Sequence, residues 1–234
     1  MTGPLRGTQI VTSWHDYPAG IAGITERPLI DWFQKHVTRG STWLDIGAHY
    51  GYTAIALSRL VEDTGRVYAF EPMTKTADCI LDTRKLNAFG QLTVVPNGLG
   101  CPDTSTTICL PTTRGMADLT LSASDVASET IRVARFDWLW PQLNGGRAEV
   151  HGVKIDVQGM ELDVLEGMRL TLEQQRPKLV IELHRGVSRP AVLDFLRSIG
   201  YSAAASAVEP LPHETTPMLL DDRSYAFLPP TVRV

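Results

Sequence analysis

The chain has 234 residues, 43% of them hydrophobic and 21% charged, with a formal net charge of −4. This composition excludes intrinsic disorder, and the length suits one large α/β domain with a continuous core. The acidic balance argues against a surface that neutralises many phosphates, so no nucleic-acid partner is expected.

Residues 1–24 are loosely patterned. Leu29, Ile30, Phe33 and Val37 then recur at helical spacing and predict a helix over residues 25–37, with Pro28 in its first turn. Residues 42–46 form a short apolar run closed by Gly47, and residues 52–61 carry the pattern of a helix packed on a sheet, giving strand, tight turn, helix. The unit recurs as a strand over 66–70, a helix over 74–88 and a strand over 92–95. Between 101 and 135 the rhythm breaks, and β-prone pieces at 106–110 and 130–134 predict an inserted hairpin. Regularity returns with a strand at 152–157, a helix at 160–173, a strand at 178–183, a helix at 190–199 and closing strands near 201–208 and 224–228. Strands alternating with helices predict parallel crossovers and a doubly wound α/β sheet of about seven strands. Residues 1–40 are expected to be an N-terminal extension with a helix, and residues 41–234 the main domain, with its insertion at about 101–135. Cys79, Cys101 and Cys109 show no C-x-x-C spacing, which signals neither a disulfide framework nor a zinc site. With no apolar run long enough for a signal peptide or a membrane span, the cytoplasm is the expected location.

The chemistry concentrates at strand ends. Leu44-Asp45-Ile46-Gly47-Ala48-His49-Tyr50-Gly51 lies between the first core strand and its helix, where glycines let a ligand approach and the helix offers free N–H groups. A dinucleotide fingerprint would read G-x-G-x-x-G; here the spacing is G-x-x-x-G, and Asp45 ahead of it suits a cationic ligand better than a pyrophosphate. S-adenosylmethionine fits this reading, with Asp45 receiving its ammonium, directly or through water, and Thr53 with the helix N-terminus its carboxylate. Glu71 closes the next strand, where an acid that accepts ribose hydroxyls is expected. Asp156 ends a strand otherwise rich in Val and Ile and is expected in the same crevice. Glu182 and His184 share one side of the following strand, while Glu161 is read as complementing a helix N-terminus.

These blocks resemble a known family. Asp-Ile-Gly-Ala-x-x-Gly-Tyr from Asp45, Phe-Glu-Pro at 70–72, Lys-Ile-Asp-Val-x-Gly-x-Glu-x-x-Val-Leu-x-Gly at 154–167 and Glu-Leu-His at 182–184 look like the FkbM family of methyltransferases. The resemblance covers roughly residues 41–184, and the block at 154–167 is its most specific part. It implies a class I methyltransferase (Rossmann-like) fold with an antiparallel final strand, acting on hydroxyl groups of natural products, sugars or lipids. His49 stands where the family usually has Asn, and Gln158 where it usually has Glu; the first bears on cofactor contacts and the second removes a carboxylate.

The expected function is therefore S-adenosylmethionine-dependent O-methylation of a small molecule. Asp45, Gly47, Ala48, His49, Gly51, Thr53, Glu71, Pro72 and Asn97 are the candidate cofactor-binding residues. Asp156 is the first candidate base and His184 the second. Trp14, Tyr17 and Met116, in the N-terminal segment and the insertion, are candidate acceptor contacts. No metal is expected, because Glu182-x-His184 alone is thin evidence for a site. A homodimer is compatible with the sequence. The rivals are N-methylation, an NAD-dependent oxidoreductase, opposed by the missing third glycine, and an idle binding protein, opposed by the presence of Asp45, Gly47, Gly51, Glu71 and Asp156.

Overall fold

The computed structural model describes residues 1, 3–23, 25–113, 116–117, 128–145, 148–202 and 204–229. A 3₁₀ turn at Gly3–Leu5 and helix α1 (Pro18–Ala22) lie in the segment that has no clear pattern in sequence. Helix α2 (Arg27–His36) follows and buries Leu29, Ile30 and Phe33. The alternation expected of the core is present as β1 (Thr42–Ile46), α3 (Tyr52–Val61), β2 (Arg66–Phe70), α4 (Thr74–Leu86) and β3 (Leu92–Val95). A separate four-stranded sheet, in the order β4-β7-β5-β6, is made by β4 (Gly98–Gly100), β5 (Ser105–Thr113), β6 (Met116–Ala117) and β7 (Ser128–Arg135). The remainder comprises α5 (Phe136–Asn144), β8 (Gly152–Ile155), α6 (Glu161–Gly167), α7 (Arg169–Gln175), β9 (Lys178–Leu183), α8 (Arg189–Ser198), β10 (Ser206–Ala207) and β11 (Arg223–Phe227).

The main sheet has seven strands in the order β10-β11-β9-β8-β1-β2-β3. Strands β3, β2, β1, β8 and β9 run parallel, and β11 inserts antiparallel between β9 and β10. This is the Rossmann-like architecture of class I methyltransferases. The inserted β5–β7 pair is antiparallel, as a hairpin must be. The single helix expected over 160–173 is instead two helices, α6 and α7, meeting at Met168. Gly167 lies at the bend, where a Cβ would stand 2.0 Å from the Gly100 carbonyl oxygen, so β4 approaches the helix too closely for any side chain.

Helices cover both faces of the sheet. On one face Leu44, Ile46, Val153, Ile155, Ile181 and Leu183 join Val164, Leu165, Met168 and Phe195 in the larger core. On the other, Trp43, Val67, Ala69 and Val180 pack against Leu29 and Phe33 of α2, Leu57 and Val61 of α3, and Ile80 of α4. Trp43 lies opposite Gly152 in the β1–β8 register, and its ring occupies the space a Gly152 side chain would take, with a Cβ there only 2.4 Å from the indole. Gly152→Ala is expected to overpack this contact and cost about 1–3 kcal/mol, and adding Trp43→Leu should return part of the loss. Urea unfolding of the two variants checks this; an unchanged midpoint for Gly152→Ala would show that the ring yields freely.

Candidate active site

The floor of the site is the turn from β1 into α3. Gly47 and Ala48 donate backbone N–H bonds of 3.0 and 3.1 Å to the Phe70 carbonyl, tying the turn to the end of β2. Gly47 has φ 76°, and a Cβ there would lie 1.8 Å from the Asp156 carbonyl oxygen, so only glycine lets β8 close against the turn. His49 also adopts a left-handed φ of 50°, a region Asn enters more readily, and this aims its N–H at Glu71 Oε2, 2.7 Å away. Gly51 caps α3 with no side-chain hydrogen bond, leaving the first turn of that helix uncapped.

Beneath the turn lies a charge cluster that residue spacing did not single out. Lys154 is the register partner of Asp45 on the neighbouring strand, so the parallel pairing sets the two side chains on the same face. Its ammonium lies 3.2 Å from Asp45 Oδ1 and 3.2 Å from Asp156 Oδ2, and donates to the Gly47 carbonyl at 3.0 Å. Burial works against this charge, but Asp156, Asp45 and Glu26 outweigh it and hold the lysine above its usual pKa. Asp45, 0% exposed, also accepts a 2.6 Å hydrogen bond from Thr53 Oγ1. Asp45 is therefore sealed below the cavity, which argues against the direct contact with a ligand's ammonium among the two routes expected for it. The available signal was a lysine in the middle of an otherwise apolar strand, two residues before Asp156.

Glu71 lies at the end of β2 and lines the cavity. Its carboxylate accepts from the backbone N–H of His49, from Met73 N at 2.9 Å and from Thr76 Oγ1 at 2.9 Å. Burial nevertheless pushes its pKa up to about 7, against the effect of these bonds.

The ends of β8 and β9 bring a second group together. His184, 4% exposed, has Nε2 at 3.5 Å from Asp156 Oδ1 and 3.6 Å from Glu182 Oε1. Its Nδ1 lies 2.7 Å from Glu161 Oε1, and Gln158 Nε2 lies 2.8 Å from its Nε2. Burial disfavours a charged ring, but the hydrogen bond to Glu161 and the charges of Asp156 and Glu182 raise its pKa above the ordinary histidine value. Such a ring holds a proton at neutral pH, which argues against His184 as the base. Glu161, read from sequence as a helix-end charge, is wholly buried and serves His184 as well as accepting a 3.2 Å bond from Gly159 N.

These groups surround a cavity of about 350 Å³. Of the candidate cofactor residues, Gly47, Ala48, His49, Thr53, Glu71, Pro72 and Asn97 line it, as does Asp156; Asp45, Gly51 and His184 lie behind its wall. Tyr17 lines it too, packed edge-on to His49 with ring centroids 5.1 Å apart. Trp14 does not: it is 77% exposed to solvent, because the chain turns inward only after it. The Met116 side chain lies outside the described residues. Sequence reasoning missed Asp16, Glu26 and the apolar wall of Leu110, Ile131 and Val133.

The glycine turn, flanked by strand-end acids, sits at the switch of a doubly wound sheet whose strand order is the Rossmann-like fold of class I methyltransferases. The Methyltransferase FkbM domain model matches residues 45–203, and the chain belongs to that family. A curated relative, the hexuronic acid methyltransferase AglP of Haloferax volcanii, is 31% identical over 152 residues, which are 65% of this chain and 59% of that protein. The match thus spans less than two thirds of the relative's length. Among solved structures, an FkbM methyltransferase from Methylobacillus flagellatus superposes with a TM-score of 0.54 at 17% identity, covering 94% of this chain and 56% of that one. Aeropyrum pernix fibrillarin in complex with natively bound S-adenosyl-L-methionine gives 0.51 at 16% identity, covering 95% and 83%.

Lys154→Met should leave Asp45 as an unpaired buried carboxylate and cost about 3–5 kcal/mol at neutral pH. The loss should shrink as pH falls, because a protonated Asp45 needs no cation, and burial already favours that form. Urea denaturation from acid to neutral pH tests it; a loss independent of pH would assign the effect to packing alone.

Proposed function

We propose that this chain transfers the sulfonium methyl of S-adenosylmethionine to a hydroxyl group of a small molecule. The observation that carries the reading is that Glu71 and Asp156 line one cavity on opposite sides of the Gly47 turn. Strands β2, β1 and β8 are consecutive, so these carboxylates stand about two strand spacings, roughly 10 Å, apart, leaving room for an extended ligand between them.

The residues present suit this cofactor. Glu71 accepts three bonds of the roughly four its oxygens can take, which leaves capacity for a ribose hydroxyl. The uncapped first turn of α3 suits a carboxylate, and the acids around the cavity suit a ligand of net positive charge. S-adenosylmethionine supplies an electrophilic methyl group on its sulfonium. The acceptor lies at the Asp156 and Glu182 end, where its proton departs as the new bond forms, while Leu110, Ile131 and Val133 take its apolar face. Two carboxylates at that end favour oxygen over nitrogen as the acceptor, since an alcohol must lose a proton during transfer whereas a neutral amine attacks directly.

AglP, named for hexuronic acid, supports a sugar-like acceptor. The acids in this cavity, with Lys154 already paired, favour an uncharged one. Residues 1–40 and the insertion at about 101–135 contribute Tyr17 and the apolar wall respectively, and so shape acceptor choice.

Calorimetry with S-adenosylmethionine and labelled-methyl transfer to a panel of hydroxylated acceptors test the proposal. Glu71→Ala should weaken cofactor binding about tenfold to a hundredfold. Asp156→Asn should keep that binding and lose about a hundredfold or more in turnover. Full cofactor affinity in folded Glu71→Ala would remove the cofactor from this cavity, and full turnover in Asp156→Asn would remove the acceptor from its acidic end.

A further inference from the structure

We propose that Asp156, Glu182 and His184 form a divalent-cation site at the acceptor end of the cavity. The role of the ion rests on the methyltransferase reading above, but its binding does not. One ligand atom from each residue lies within 4.8 Å of the others, with the imidazole Nε2 3.5 Å from Asp156 Oδ1 and 3.6 Å from Glu182 Oε1. Atoms bonded to one ion at about 2.0–2.3 Å stand about 3–4.5 Å from one another, so the three need little movement to share one.

How the rest of each side chain is held points the same way. His184 engages Glu161 through Nδ1 at 2.7 Å, which leaves Nε2 directed at the two carboxylates. Glu182 Oε2 accepts from Ser224 Oγ at 3.1 Å, leaving Oε1, and Asp156 Oδ2 pairs with Lys154 at 3.2 Å, leaving Oδ1. A carboxylate behind a histidine is the arrangement that orients metal-binding imidazoles, and a cation would displace the second ring proton and the Gln158 amide now at Nε2. Glu161 adds an independent sign: it is 0% exposed, its Oε1 is engaged by the imidazole and by Gly159 N, and its Oε2 has no hydrogen-bond partner among the described residues. Gln158 Nε2, now 2.8 Å from the imidazole, exchanges places with Oε1 by a turn of the amide, which would present another oxygen to a cation.

One imidazole with two carboxylates suits a first-row divalent ion such as Mn²⁺ better than Ca²⁺. Asp156 and Glu182 both line the cavity, so the open positions of such an ion would face the acceptor. Its contribution would be to hold the acceptor hydroxyl and acidify it. The O–H bond breaks with the proton passing to water, and the C–O bond forms as the methyl's C–S bond breaks. Sequence spacing shows Glu182-x-His184, and the adjacency of β8 and β9 adds Asp156 as the third ligand, so the proposal departs from the expectation of no metal.

The test is a Mn²⁺ titration of the chelator-stripped chain, with neither cofactor nor acceptor present, following the loss of the free-ion electron paramagnetic resonance signal. One saturable ion per chain is expected, weakened at least tenfold by Glu182→Gln and by His184→Gln, and about tenfold to a hundredfold by Glu161→Gln. Glu182 is partly exposed, so its isosteric variant keeps the test decisive if a His184 variant does not fold. Absence of a saturable site, or binding unchanged in the folded Glu182→Gln protein, overturns the proposal. Stripped protein that transfers methyl groups at full rate overturns the ion's role in transfer while leaving the methyltransferase reading intact. Mn²⁺ binding without any S-adenosylmethionine binding would do the reverse.

Discussion

A lysine ammonium buried against a β-sheet must be surrounded by opposite charge, because removing it from water costs several kcal/mol. Lys154 meets that requirement with Asp45, Asp156 and the Gly47 carbonyl. Each partner belongs to a different part of the site: the strand below the glycine turn, the acid at the end of β8 that lines the cavity, and the turn itself. The cluster therefore holds the carboxyl ends of β1 and β8 in one arrangement. Gly47 completes the lock, since its missing side chain allows the Asp156 carbonyl to close on the turn. On the proposed reading, the positioning of reactants that a methyl transfer requires would begin with this contact.

The same strands show why the charge stays local. Successive side chains alternate between faces, so Leu44, Ile46, Val153 and Ile155 enter an apolar core while Asp45 and Lys154 face the other way. Toward the amino ends of β1 and β8 that other face is also apolar, with Trp43 filling the space over Gly152. Polar character is thus confined to the carboxyl ends, where the N-terminal segment closes the cavity. Tyr17 stacks with Tyr50 at a centroid distance of 6.0 Å, and the Tyr50 hydroxyl donates to Asp16 Oδ2 at 3.1 Å. That segment is ordered by contacts with the site rather than by a periodic pattern of its own.

This accounts for what could be read from the sequence. Strands β1, β2, β3, β8 and β9 are legible because each is a short apolar run bounded by turn residues, and Glu71 and Asp156 are legible because they end such runs. Helix α5 is not, since Pro141 interrupts its pattern, and the break between α6 and α7 depends on the distant Gly100 carbonyl. The partners of Lys154 and His184 were hidden for a related reason. They are set by which strands lie side by side, and β8 reaches its place beside β1 only after the chain has passed through β2, β3 and the second sheet. Trp14 misled because an aromatic residue in a peripheral segment resembles a ligand contact whether or not the chain has yet turned inward.

Charge also separates this site from others built on the same turn. A glycine turn opening onto a helix N-terminus binds nucleotide cofactors across many Rossmann-like proteins, and so cannot by itself identify the ligand. Here the surrounding wall carries Glu26, Glu71, Asp156 and Glu182, whereas the lysine beneath it is already paired. A pyrophosphate in this cavity would meet like charge at short range in a poorly screened setting, at a cost that one turn of free N–H groups offsets only in part. A sulfonium compound would meet the opposite field, and so would the divalent ion proposed beside His184. On the proposed reading, the surplus of carboxylates would favour a positively charged ligand over an anionic one, which is how such a wall would discriminate between cofactors.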